Sequence, residues 1–161
     1  MQLSYSQNMG TAIAGTIYDG SPRTIDSLIT EGTIGLGHGV IAGTNPQTQA
    51  KVPTATFTTG FKGVALLQAK EQNDDGTITY TAKDTVPVMR KGRANVPFAT
   101  GYAITAETAA YLIFSGADAG KWTNLAGYTA MTSAVAVAVA GVKFITSNTS
   151  TTGGVVAIEL V

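Results

Sequence analysis

From Thr33 onward the dominant signal in the chain is a succession of short β-forming runs separated by turn chemistry. Val40-Ile41-Ala42 follows the glycines Gly35, Gly37 and Gly39 and closes on Gly43-Thr44-Asn45-Pro46, a strong turn sequence. Residues 61–69 are the next strand candidate. Asn73-Asp74-Asp75-Gly76 then turns the chain into residues 77–82, where Ile78, Tyr80 and Ala82 face one way and Thr77, Thr79 and Thr81 the other, a hairpin pattern. Val86-Pro87-Val88-Met89 and residues 94–98 flank Arg90-Lys91-Gly92-Arg93, which predicts a second hairpin with three cations at its tip. Pro87 and Pro97 lack amide donors, which assigns them to edges or bulges.

Beyond Gly101, residues 106–112 admit a short helix, but Tyr111, Ile113 and the following Ser115-Gly116 favour a strand ending in a turn. Residues 134–139 alternate Ala and Val strictly, the pattern of a strand with one bulky and one flat face. Uncharged and free of proline, that run needs covering. In the last run, residues 155–161, Val156, Ile158 and Leu160 share a face. About eight short strands predict an all-β fold, either a β-barrel or a β-sandwich, over residues 31–161. Residues 1–30 read differently: small, polar and Gly-punctuated, with Ile13 and Ile17 but no sustained period. They predict an extended N-terminal arm that orders by lying along a partner or its own barrel, with room for one helical turn at residues 27–29.

Composition narrows the function. The chain has 161 residues and no cysteine, which removes cystine scaffolds, Cys-ligated zinc and thiol catalysis. Its one histidine, His38, would have to carry any imidazole-dependent chemistry alone, so an enzyme is not expected. Ten basic and ten acidic residues cancel, and the long-range field that nonspecific nucleic-acid binding needs is absent. Charged residues make up 12 % of the chain, about half the roughly 25 % of ordinary soluble domains. A neutral, hydroxyl-rich exterior suits a chain that spends its life against other protein; a merely Thr-rich β protein is the plainer reading. The longest apolar run, residues 134–142, is well short of the ~20 residues a membrane helix requires, and the N-terminus has no basic-then-apolar secretory pattern.

Candidate sites are few. Gly35-Leu36-Gly37-His38-Gly39 lacks the helix and acidic residue of a dinucleotide fingerprint, and the glycines from Gly15 to Gly20 lack the lysine of a nucleotide loop. Asp74-Asp75 lacks the ligand spacing of a calcium loop. Asn148-Thr149-Ser150 is formally a glycosylation sequon. No cofactor or metal is implied. Arg90, Lys91 and Arg93 form the sharpest charged feature, suited to carboxylates on a protein partner.

The order of segments resembles the cement, or decoration, proteins that coat the heads of tailed bacteriophages. The resemblance rests on Ala14-Gly15-Thr16-Ile17-Tyr18-Asp19, Pro22, Ser27, Glu31-Gly32, residues 37–43 and Phe61-Lys62-Gly63-Val64-Ala65. It continues through Asp84-Thr85-Val86-Pro87-Val88-Met89-Arg90-Lys91-Gly92, residues 111–116 and Val142-Lys143-Phe144-Ile145-Thr146. It implies a non-enzymatic virion protein on the outer capsid surface that bridges neighbouring major capsid subunits and self-associates, as a trimer in preference to a dimer. Tyr18, Asp19, Arg23, Arg90, Lys91 and Arg93 are the candidate contacts with capsid or with other copies. The competing expectation is a carbohydrate-binding or adhesion appendage of the virion, for which Trp122, the one indole, would be the stacking platform.

Overall fold

A computed structural model describes residues 12–57, 59–68, 78–99, 103–124, 136–150 and 152–161. Eleven strands and no helix occur among them: β1 (Thr24–Thr30), β2 (Ile34–Gly35), β3 (Gly39–Ala42), β4 (Gln49–Lys51), β5 (Phe61–Ala65), β6 (Thr79–Tyr80), β7 (Thr85–Phe98), β8 (Ala109–Ile113), β9 (Trp122–Thr123), β10 (Ala136–Phe144) and β11 (Gly154–Leu160). The pairing order β1-β4-β3-β5-β7 closes on itself through β1–β7, giving a five-stranded barrel. β11, β10, β8 and β9 are bonded outside it and return to β7 through the single parallel pair Phe98↔Trp122. β2 and β6 make a separate two-stranded ribbon.

The alternation of strand side chains sorts most of the buried apolar residues into two large clusters, with Ala99 and Ile113 in a small third. Leu28, Ile34, Val40, Ala65, Tyr80, Val86 and Val88 form one cluster, drawn from the barrel strands and the β2–β6 ribbon. Val64, Met89, Val96, Phe98, Leu112, Trp122, Phe144, Val156, Ile158 and Leu160 form the other, between β5, β7 and the outer strands. Adjacent Val64 and Ala65 on β5 therefore serve different cores. Val156, Ile158 and Leu160 share the buried face read from their spacing, and residues 109–113 are a strand. β10 holds part of the Ala/Val run, with Val139 buried and Ala138 and Ala140 exposed; residues 134 and 135 lie outside the described residues.

β7 corrects the second hairpin. Residues 85–98 run as one strand, so Arg90-Lys91-Gly92-Arg93 is mid-strand and not a tip. The β1–β7 register shifts there, from Ile25↔Met89 to Thr24↔Lys91, so Arg90 is the extra residue, and Gly92 two positions on has φ +125°. Pro87 and Pro97 are likewise interior to β7, at positions where no amide is needed. Leu66 N–H donates to the Pro87 carbonyl at 2.8 Å, one step past the β5–β7 pairs Val64↔Met89 and Ala65↔Val88, so only the oxygen is used. Asn95 bonds the N-terminal segment, and Pro97, two residues on, directs its nitrogen to that same side, leaving its pairing with Val155 of β11 undisturbed.

Residues 24–30 are also corrected: they form β1, six of whose residues pair with β7, so no helical turn exists at residues 27–29. The segment before β1 lies along the barrel itself. Gly15 N–H donates to Asn95 O at 2.7 Å, Asn95 N–H to Thr16 O at 2.8 Å and Tyr18 N–H to Arg93 O at 3.0 Å. Residues 15–18 thus extend the flank that β1 begins. β6 pairs with β2 (Ile34↔Tyr80), not with β5 as the first hairpin required. The turn at residues 73–76 lies outside the described residues.

Candidate interaction surface

The charged residues singled out in the sequence converge on one flank of β7, mostly as ion pairs. Arg93 donates from Nε to Glu159 on β11 at 2.9 Å and from Nη1 to Asp19 at 2.9 Å. Glu159 also lies 3.6 Å from Lys143 of β10, whose ammonium contacts Glu107 at 2.8 Å. A continuous chain of alternating charge therefore crosses from the N-terminal segment over β7, β11 and β10. The Ser21 hydroxyl and amide, with Arg93 behind them, hold the Asp19 carboxyl below its usual range. Arg93, and then Lys143, do the same for Glu159. Solvent-exposed pairs contribute little stability individually; these position the arm against the barrel.

Arg90 points to Asp26 of β1 at 3.1 Å. Among the described residues Arg23 and Lys91 make no ion pair, and Thr24↔Lys91 pairing sets Arg23, just before β1, close to Lys91 and Gly92 of β7. Lys91 borders an open groove of about 310 Å³ whose other walls include Ser21, Pro22 and Glu159. So the six predicted residues do come together, but Asp19, Arg90 and Arg93 are committed to internal pairs, whereas Tyr18, Arg23 and Lys91 make no such pair among the described residues.

An apolar feature the sequence reading missed runs along the same flank. Of the seven large hydrophobic residues exposed among the described residues, five are Ile13, Ile17, Tyr18, Ile25 and Ile29. On β1 the period of two buries Leu28 and Thr30 and leaves Ile25, Ser27 and Ile29 outward. The signal was the alternation within Thr24-Ile25-Asp26-Ser27-Leu28-Ile29-Thr30, legible only once these residues are read as a strand.

Other candidates resolve into structure. Asn148 donates its amide to Val155 O at 3.3 Å and accepts from Ser150 N–H at 2.8 Å, so the sequon residue organises its own loop. Gly15 makes backbone bonds to Asn95 and Leu67. No group of three or more His, Asp or Glu able to hold a metal occurs among the described residues. His38 has its Nδ1 buried without a hydrogen-bond partner, and burial depresses the ring to about 4, the nearby Lys121 adding to the effect and Asp118 opposing it. Trp122 is fully buried, donates Nε1–H to Gly37 O at 3.1 Å and meets Phe61 edge-on at 6.0 Å between ring centres. Its faces are occupied, which removes the platform on which the carbohydrate-binding expectation depended.

The molecule is thus a closed β-barrel with an apolar and cationic flank. Residues 1–161 match the profile of a family described as structural cement protein (E217 gp24/Pam3 gp6). The chain belongs to that family, and its role is structural, in association with the phage capsid of the virion. Its fold is shared with a chain from the capsid of Myoviridae phage XM1, at a TM-score of 0.74 and 19 % identity over 99 % of this chain and 96 % of that one. No curated protein sequence matches it.

Proposed function

We propose that the protein binds the outer surface of the phage head and bridges neighbouring major capsid subunits, with the flank of residues 13–29 as its contact. The observation that carries this reading is the row Ile17, Tyr18, Ile25 and Ile29, exposed yet held in extended backbone along β7, beside Arg23 and Lys91, which make no ion pair among the described residues. Exposed apolar clusters rimmed by charge mark protein-binding surfaces. A rigid strip loses little conformational freedom on docking. The neutral exterior serves self-association, for which the family resemblance favours a trimer. An oligomer presenting several copies of the strip gains roughly 10²–10⁴ in avidity on a repeating lattice without any single tight interface. The balanced charge supports a partner that is protein and not nucleic acid, and the reading assigns no catalytic role.

Cosedimentation with undecorated heads tests the proposal. Ile25→Asp/Ile29→Asp, both outward-facing and expected to leave the fold intact by circular dichroism, should abolish decoration. Lys91→Glu should weaken it, and 0.5 M salt should weaken the unaltered protein. Full decoration by the folded double variant would overturn the assignment of this flank.

A further inference from the structure

His38 stands at the seam between the barrel and the outer strands. It lies in the turn between β2 and β3, and its carbonyl accepts Ala65 N–H of β5 at 2.9 Å. The ring reaches into the β8–β9 turn. A Cβ built on Gly120 would lie 2.5 Å from its Nδ1, and one on Gly35 2.6 Å from its Nε2, so glycines alone leave room for it. On either side of the ring, two bonds tie the β2–β3 turn to the β8–β9 region: Gly39 N–H to Gly120 O at 2.9 Å, and Trp122 Nε1–H to Gly37 O at 3.1 Å.

In the imidazolium both ring nitrogens are donors. The buried Nδ1 has no acceptor in reach, so a protonated ring would hold an unpaired N–H and an unmatched charge in a space closed on two sides by glycine backbone. The charged groups acting on it, Asp118 and Lys121, both belong to the β8–β9 turn and are paired with each other at 2.8 Å, so neither carboxylate nor ammonium is free to compensate. We infer that His38 is an acid-operated wedge: its protonation parts the β2–β3 turn from the β8–β9 turn while the β7–β11 ladder stays closed.

The sign follows from linkage. The largely buried ring prefers to be neutral, its pKa lowered to about 4, whereas a ring released to solvent titrates near 6.5. Opening therefore takes up a proton, begins to be favoured as pH falls below 6.5, and gains nothing further below about 4. Those two values predict that the open-to-closed ratio rises about 30-fold between pH 7.5 and pH 5.

The experiment uses the intact protein. Because His38 is the one histidine, its imidazole resonances report a single site without any substitution. Protection factors for Gly39 N–H and the Trp122 indole N–H, corrected for intrinsic exchange, should fall about 30-fold from pH 7.5 to pH 5, while those of Val96 and Val156 hold. In His38→Gln the two seam protections should be flat over that range. An imidazole titrating near 6.5, an equal loss of protection in the glutamine variant, or a uniform loss across β7 and β11 would each overturn the inference. Should His38→Gln not fold, the titration and the spread of exchange in the native chain decide the matter alone.

Discussion

Replacing Trp122 tests the packing of the outer core most directly. The side chain is fully buried, its indole N–H satisfies Gly37 O, its ring abuts Phe61, and Gly39 is small enough to let it in. A buried tryptophan removes roughly 150–250 Å² from water, worth about 4–6 kcal/mol at ~25 cal/mol per Å² and an upper bound, since the unfolded chain already hides some of that area. Trp122→Ala should accordingly cost about 3–5 kcal/mol from lost packing and the cavity left behind. Trp122→Phe retains an aromatic ring but leaves the Gly37 carbonyl without its donor, so its cost should be smaller, about 1–3 kcal/mol. Urea unfolding followed by far-ultraviolet circular dichroism is the assay, because the substitution removes the only indole. An alanine variant within 1 kcal/mol of the parent would refute the buried placement, and with it the claim that this residue closes the outer strands back onto β7.

Three further outcomes are expected. Gly63→Ala should destabilise by roughly 2–5 kcal/mol in the same assay, because a Cβ there would sit 2.0 Å from Met89 O at φ +140°, forcing β5 off β7; an unchanged midpoint would contradict that contact. Tyr80→Phe should cost about 1–3 kcal/mol, since the hydroxyl donates to Leu66 O at 2.7 Å and accepts Gln68 N–H at 3.0 Å inside the barrel; a neutral result would mean water replaces it. Arg93→Met should raise hydrogen exchange at the Tyr18 amide by releasing Asp19, and should flatten the acid limb of the stability curve. The sign is that Asp19 and Glu159 have depressed folded pKa values, so their contribution is complete above the ordinary carboxylate range and lost as pH falls through the folded values. An unaltered acid limb would show that the pairs are not coupled to folding.

Local pattern made the strand content and its faces readable. The turn after β3 is built as its residues imply, with Gln47 N–H donating to the Asn45 side chain and Thr48 N–H to its carbonyl. The buried face of β11 follows from period two alone. The errors fall where distant segments decide. Arg90-Lys91-Gly92-Arg93 has the composition of a turn, yet its two arginines are held in a continuous strand by Asp26, Asp19 and Glu159, each more than sixty residues away along the chain. Residues 24–30 do not look like a half-buried strand, because their apolar side chains fall on both faces, Leu28 inward and Ile25 and Ile29 outward, and pairing with β7 decides their conformation. The candidate site was legible as a list of charges but not as a surface, since which cations remain free depends on those same long-range pairs.

β7 belongs to both hydrophobic clusters and, with β1, β5, β9 and β11 bonded to it, is the common rail of the molecule. A pull applied between its ends would load the seven aligned pairs with β11 and those with β1 in shear, so that many bonds resist together instead of peeling one at a time. Were it anchored, as proposed, by the flank that lies along this rail, the domain would act as a stiff tie-bar: swelling of whatever it fastened would be met by tension in one continuous strand.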